Sequence, residues 1–296
     1  MKRHFLLLTL VLTTVAASAI AQFSFTSLTF PGGTKTFARG INDRETIVGA
    51  YRINPPRHAL VIRNGKYLPL APKSVLGGVN FSEAFKINSR GDVVGDYDDG
   101  STHGFLLHKG ELITLDFPGA DQTLALGIND SGVVVGEWDL LDSNGNLTAY
   151  HGFVWQHGTF TDVEFPGSAD TSILSINANG DFVGLWDTDV NAPAGHGFVS
   201  ANGQFTSFDV PGATLTEAND LNQNGQIVGF YIDVSGATHG FLKTWDSLVS
   251  IDYPGSASTE AWGINSAGEI VGVHSHTVDS APHGFIARQR RSHQER

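Results

Sequence analysis

Three times in this chain an aromatic residue two positions past a Val-Gly pair is followed directly by aspartate: Tyr97-Asp98, Trp138-Asp139 and Trp186-Asp187. Tyr231 and Asp233 repeat the pairing with one residue between them, Tyr51 stands in the same place without an acid, and His274 takes it in the last instance. An aromatic face beside a carboxylate suits a sugar ring, whose C–H groups stack on the π face while the acid accepts hydrogen bonds from hydroxyls. The competing reading is that each ring packs beneath its own loop as part of a repeated scaffold.

Other groups invite cation or acid–base chemistry. Asp142, Asn144 and Asn146, and again Asp187, Asp189 and Asn191, alternate oxygen donors as calcium loops do, though neither stretch has the glycine and closing glutamate of an EF-hand. Glu83, Glu217 and Glu260 occupy equivalent places in three copies of a repeat, and carboxylates converging on one axis could hold a cation or act as acid and base. Solvent-facing glutamate is the plainer alternative. His58, His103, His151, His196, His239 and His283 are also equivalent, but each belongs to a different copy. They read as scaffold, bonded to backbone in the adjoining loop, because metal ligands must converge to about 2 Å of one ion. No catalytic residue can be assigned: the chain has no G-x-S-x-G elbow, no H-E-x-x-H, no phosphate-binding glycine loop and no cysteine. No motif requires a cofactor, and calcium is the single ion the loops suggest.

The elements that must position these residues repeat. I-N-x-x-G-x-x-V-G starts at Ile41 (with Glu45 in the place of its first glycine), Ile87, Ile128, Ile176 and Ile264, with Leu221 opening the fifth copy, at steps of 46, 41, 48, 45 and 43 residues. That period matches a four-stranded propeller blade. Each copy divides into short β-branched and aromatic runs separated by Gly and Asn turns, which read as antiparallel meanders. The first run alternates small residues (Thr36, Ala38, Gly40; Thr123, Ala125, Gly127), as a strand crowded near an axis would. The Asn and Gly of each I-N-x-x-G satisfy a tight turn. The sixth copy stops after His283-Gly284-Phe285 without an outer strand, and residues 23–30 supply an orphan one ending in Phe30-Pro31-Gly32. The expectation is an all-β, six-bladed β-propeller of four-stranded antiparallel blades, its ring closed by the N-terminal strand pairing with the C-terminal blade. Blade repeats start near residues 36, 82, 123, 171, 216 and 259.

The recurrent I-N-x-x-G-x-[IV]-V-G, H-G-F and D-x-P-G motifs resemble the HAF-repeat proteins, a group of bacterial extracellular repeats, over residues 23–287. The copy at His58-Ala59-Leu60 departs by keeping Ala and losing Phe. The resemblance implies export and repeat architecture and carries no reaction with it.

Composition agrees with export. Lys2 and Arg3 precede an apolar run from Phe5 to Val15 and a small-residue site at Ala19-Ile20-Ala21, so residues 1–21 read as a signal peptide and 22–287 as the propeller. The run is too short to span a bilayer comfortably, so the mature chain is expected to be secreted, periplasmic or extracellular, and not membrane-spanning. Without cysteines, stability rests on burial and closure. The net charge is −12, and Lys243 is the single Lys or Arg between Glu111 and Ala287, against 22 carboxylates. That polarity argues against nucleic acid and for cations or neutral ligands. Residues 288–296 read as a basic, disordered tail. The function expected is non-catalytic binding of carbohydrate or a cell-surface polymer through the aromatic–Asp positions. The alternatives are an exported hydrolase or lyase using the channel-mouth glutamates, and a protein-interaction scaffold.

Overall fold

The computed structural model describes residues 23–70, 79–189, 194–277 and 280–290, and every regular element among them is a β-strand. The expected signal peptide and Asn191 lie outside these residues. Four copies of the repeat form separate four-stranded antiparallel sheets with strands in simple succession. The third copy is typical: Gln122–Ile128, Val134–Leu141, Leu147–Gln156 and Thr159–Val163. The first strands of successive copies touch one another in order, and Ser258–Ile264 returns to touch Lys35–Ile41. The blades therefore stand in a ring with these strands innermost.

Six separate blades do not appear. The last eight strands form one sheet, because Thr238–Lys243 of the fifth copy bridges in parallel to Ser258–Ile264 of the sixth through Thr238 and Ser258. Phe23–Leu28 pairs antiparallel with His283–Gln289, with Phe25 opposite Ala287 and Leu28 opposite Gly284. The strand runs past the expected start of the tail: Arg288 bonds Glu269 at 2.5 Å and Glu45 at 2.9 Å, so the first tail residues are held by partners at both sides.

The small inner-strand residues serve more than crowding. Thr36, Thr123, Thr171, Thr216 and Thr259 are buried, and each hydroxyl accepts the backbone N–H six residues earlier, at 2.8–3.0 Å, fastening the turn from the preceding outer strand. Each inner strand also slips register by one residue, at Arg39, Phe85, Leu126, Leu174, Asn219 and Trp262. A β-bulge re-aims its extra side chain. These six residues, with Lys86, enclose a cavity of about 20 Å³, so the axis is plugged at mid-height.

Asparagines tie one end together. Asn42 donates to the carbonyl of Asn88, Asn88 to Asn129, Asn129 to Asn177, Asn222 to Asn265, and Asn265 back to Asn42, at 3.0–3.4 Å. Each Oδ1 meanwhile accepts N–H groups of its own turn; in Asn88 these are Arg90 and Asp92. Asn88→Ala would orphan those buried groups, so urea denaturation should show a loss of about 2 kcal/mol.

Candidate functional site

The antiparallel order sends the start of each inner strand, the end of each second strand and the variable loops to the end opposite the asparagines. There the inner-strand position of Glu83, Glu217 and Glu260 is joined by the residue just after Val-Gly on the neighbouring strand, which is Asp96 in the second copy and Glu137 in the third. Asp96 lies directly across from Glu83, and Glu137 across from Leu124. Five carboxyls therefore rim one mouth, two of which the motif comparison overlooked. The signal available was cross-strand register, since antiparallel partners share a face.

The five are in different states. Glu83, 1% exposed, is clamped by Arg39 at 2.6 Å and Arg57 at 2.8 Å. Asp96 leaves one buried oxygen without a partner. Burial, then the charge of Glu83, pushes it up to about 8 against the pull of Arg57 and Arg39. Burial, with Glu260 and Glu137 adding to it, likewise pushes Glu217 up to about 8, with Arg39 opposing. Glu137 is raised by burial although the Ser172 hydroxyl beside it works the other way. Glu260 accepts the Trp262 indole N–H at 2.9 Å, and the Arg39 guanidinium lies 3.9 Å above that indole ring.

Two hollows open on this mouth. One, of about 350 Å³, has walls of Leu124, Leu185 and Trp262 with Glu137, Glu217 and Tyr150 among them. The other, of about 450 Å³, is lined by Lys35, Phe37, Arg39 and Glu260. Tyr150 reaches the first from the long hairpin of the third copy, its hydroxyl donating to Asp187. Beneath the mouth, buried Lys86 and Asp220 pair at 3.0 Å across the axis. Burial draws Lys86 down and Asp220 works against it.

The aromatic–acid pairs have a different role from the one their spacing suggested. Trp138 lies parallel to Phe117 at 4.7 Å and beside His151 at 4.4 Å; Trp186 lies parallel to Phe165 at 4.4 Å and beside His196 at 4.8 Å. Both faces of each indole are thus covered, one by the F-P-G phenylalanine of the preceding copy and the other by the histidine of its own. The edges are engaged too: Trp138 Nε1 donates to Asp162 and Trp186 Nε1 to Ser207. Tyr97 and Tyr231 pack beside His103 and His239 and bond Thr114 and Ser250. Replacing Trp138 with Ala should therefore lower stability by about 2 kcal/mol, read by thermal melting, because it opens a stack.

The acids that follow serve their loops. Asp98 accepts from Asn80 and from the Gly100 N–H. Asp233 accepts Ser235 and Ala237. Asp187 takes the Tyr150 hydroxyl and the Asp189 N–H. Asp139 is the exception, with one buried oxygen unpartnered and burial, then Glu137, pushing it up to about 8. In the first calcium-like loop, Asp142 accepts the N–H groups of Asn144 and Asn146 and the Asn146 amide, which together hold it down to about 2. Among the described residues no three His, Asp or Glu side chains converge as ligands for a metal ion.

Four of the six repeat histidines have acids, and not backbone, as hydrogen-bond partners. His103, His151, His196 and His239 bond Asp116, Glu164, Asp209 and Asp252, each thirteen residues on, at 2.7–3.0 Å.

No family model matches the chain, and no curated protein matches it by sequence. Its likeness is to solved folds. The Aleuria aurantia lectin AAL in complex with Fucα1-6GlcNAc aligns over 86% of this chain and 91% of its own, at 12% identity and a TM-score of 0.52. AofleA from Arthrobotrys oligospora aligns over 91% and 90%, at 12% identity and a TM-score of 0.53. Pyrococcus horikoshii acylaminoacyl peptidase aligns over 86% of this chain at 11% identity and a TM-score of 0.51, and this chain spans 44% of that one. The shared feature is the propeller fold. Among the described residues no helix is long and apolar enough to cross a membrane.

Proposed function

We propose that the chain is an exported, non-catalytic binding protein that takes carbohydrate, as a free sugar or the end of a cell-surface polymer, in the hollow at the acidic mouth. The carrying observation is the composition of that 350 Å³ hollow, with aliphatic and indole walls for C–H faces and carboxyl and phenol groups for hydroxyls. A carboxyl held protonated both donates and accepts, which suits a sugar hydroxyl. The fold is one that a sugar-complexed lectin shares. Within this reading the six repeat copies count as six blades closed by the terminal strand pair, the motifs belong with the HAF repeats, and residues 1–21 direct export.

A glycan and polysaccharide array probed with residues 22–296 tests the reading, run with calcium and again with EDTA. Binding should survive EDTA and the exposed-surface change Trp245→Ala, and fall at least tenfold in Leu124→Trp, which fills the hollow. Signal lost in EDTA would instead assign calcium to the Asp142 or Asp187 loop. A blank array would favour a protein partner.

One observation favours the second reading, an exported hydrolase or lyase. Burial, with the charge of Glu260 adding to it, pushes Glu217 up to about 8, and a carboxyl raised in this way can act as a general acid. Turnover of any substrate that survives both Glu217→Gln and Glu260→Gln would remove that site from consideration.

A further inference from the structure

The mouth hollow is short of positive charge. Glu137 and Glu217 both face it, Glu260 stands beside Glu217, and Asp139 lies behind Glu137 with a buried oxygen that has no partner. Among the described residues no Lys or Arg lines it. Arg39 stands outside this lining, bonded to Glu83 and lying over the face of Trp262 with one guanidinium nitrogen unpartnered, and its charge opposes the rise of Glu217 without overcoming burial. Ser172, 3% exposed, also lines the hollow, and its buried hydroxyl makes no hydrogen bond of normal geometry. Carboxyls are therefore gathered and desolvated there with no cation among the described lining residues, beside walls that include Leu124, Leu174, Leu185 and Trp262.

Burying carboxyls without a counter-charge is costly, and the cost is relieved by a ligand that supplies the missing cation. We infer that the ligand is an amino sugar whose free ammonium group sits between Glu137 and Glu217, with Ser172 as a third acceptor. This rests on the carbohydrate reading above and narrows it. An ammonium offers three donors from one compact atom, which matches three acceptors of this kind. The sugar ring behind it lies along the leucines, and Tyr150 closes the outer side. A neutral sugar leaves the carboxyls to hold their protons and gains no ion pair from them, and an N-acetylated one replaces three donors by a single N–H and adds an acyl group. Burial holds Glu137 above the ordinary carboxylate range, burial with the charges of Glu260 and Glu137 holds Glu217 there, and a bound ammonium would bring both down.

Isothermal titration of residues 22–296 with three matched tetrasaccharides tests this: glucosamine, N-acetylglucosamine and glucose oligomers of the same linkage. The glucosamine oligomer should bind at least tenfold tighter than the other two. Glu217→Gln and Glu137→Gln, each nearly isosteric, should erase that preference while the exposed change Asp246→Asn leaves it intact; melting curves confirm that all three variants fold. Equal binding of all three sugars would overturn the inference and leave the carbohydrate reading standing. Amine preference unchanged in both Gln variants would also overturn it, tracing the effect to the overall charge of −12. If none of the three binds, the carbohydrate reading fails first and the inference with it.

Discussion

Gly136→Ala is expected to cost about 3 kcal/mol or more and to lower the melting temperature by on the order of 10 °C, although it adds a single methyl group. A Cβ at Gly136 would lie 1.9 Å from the Leu124 carbonyl oxygen and 2.9 Å from the Phe153 ring. Neither neighbour can give way: one is backbone of the paired inner strand, and the other is among the fully buried side chains of the core. The same clash recurs at Gly49, Gly95, Gly184, Gly229 and Gly272, each within 1.9–2.0 Å of an inner-strand carbonyl. The glycine of Val-Gly is thus the seat on which the HGF phenylalanine rests against the inner strand. Gly145 provides the contrast, with positive φ at a hairpin tip and nothing within 4 Å of its would-be Cβ. Gly145→Ala should cost only about 1 kcal/mol, from backbone strain alone. Urea unfolding followed by tryptophan fluorescence checks both, and equal costs at the two positions would show that the close approach is relieved elsewhere.

Repeats and turns were legible in the sequence because they depend on local chemistry. I-N-x-x-G fixes a turn whatever surrounds it, and the strand order within a copy follows from short connections. Three features escaped for physical reasons. The inner-strand bulges at residues such as Leu126 and Trp262 break the two-residue alternation on which strand reading relies, so the residues that plug the axis looked like ordinary strand positions. Asp96 and Glu137 join the mouth through cross-strand pairing, a relation that no linear motif displays. Trp138 and Trp186 carried the right composition for a sugar platform, yet the phenylalanine of F-P-G and the histidine of H-G-F close on them from either side. A clue to that clamp was present: His103 and Asp116, His151 and Glu164, His196 and Asp209, and His239 and Asp252 all stand thirteen residues apart. A constant offset between an acid and a histidine across a hairpin is the mark of a structural pair.

The mouth also sets the pH dependence of stability, which should run opposite to that of a protein held by ordinary carboxylate ion pairs. Asp96 and Glu217, raised to about 8 when folded, return to values near 4 when the chain unfolds and water reaches them. Between those limits the folded state binds more protons than the unfolded state, so stability falls as pH rises through that window. The Asp139–Glu137 pair acts in the same sense, Glu137 raised by burial and Asp139 by burial and then the charge of Glu137. His103 adds to it: burial works against its charge, but Asp116 and Asp99 outweigh that and raise it, so its contribution is lost as pH rises through its folded value. His274 opposes at the acid side, because burial, then His276 and His283, draws it down to about 4 and the unfolded ring binds a proton first. The opposing effect ends near pH 6.5, leaving the carboxyls and His103 to act above it. Each carboxyl contributes roughly 1.4 kcal/mol per pH unit while its states differ, so Asp96 and Glu217 together should remove on the order of 3–4 kcal/mol between pH 6.5 and 8. Urea denaturation at pH 6 and 8.5 measures the fall, and the double variant Asp96→Asn, Glu217→Gln should flatten most of it. Equal stability at the two pH values in the unmodified chain would mean that these carboxyls are ionised and solvated in the folded state, and the uncompensated mouth on which the amino-sugar pocket rests would go with them.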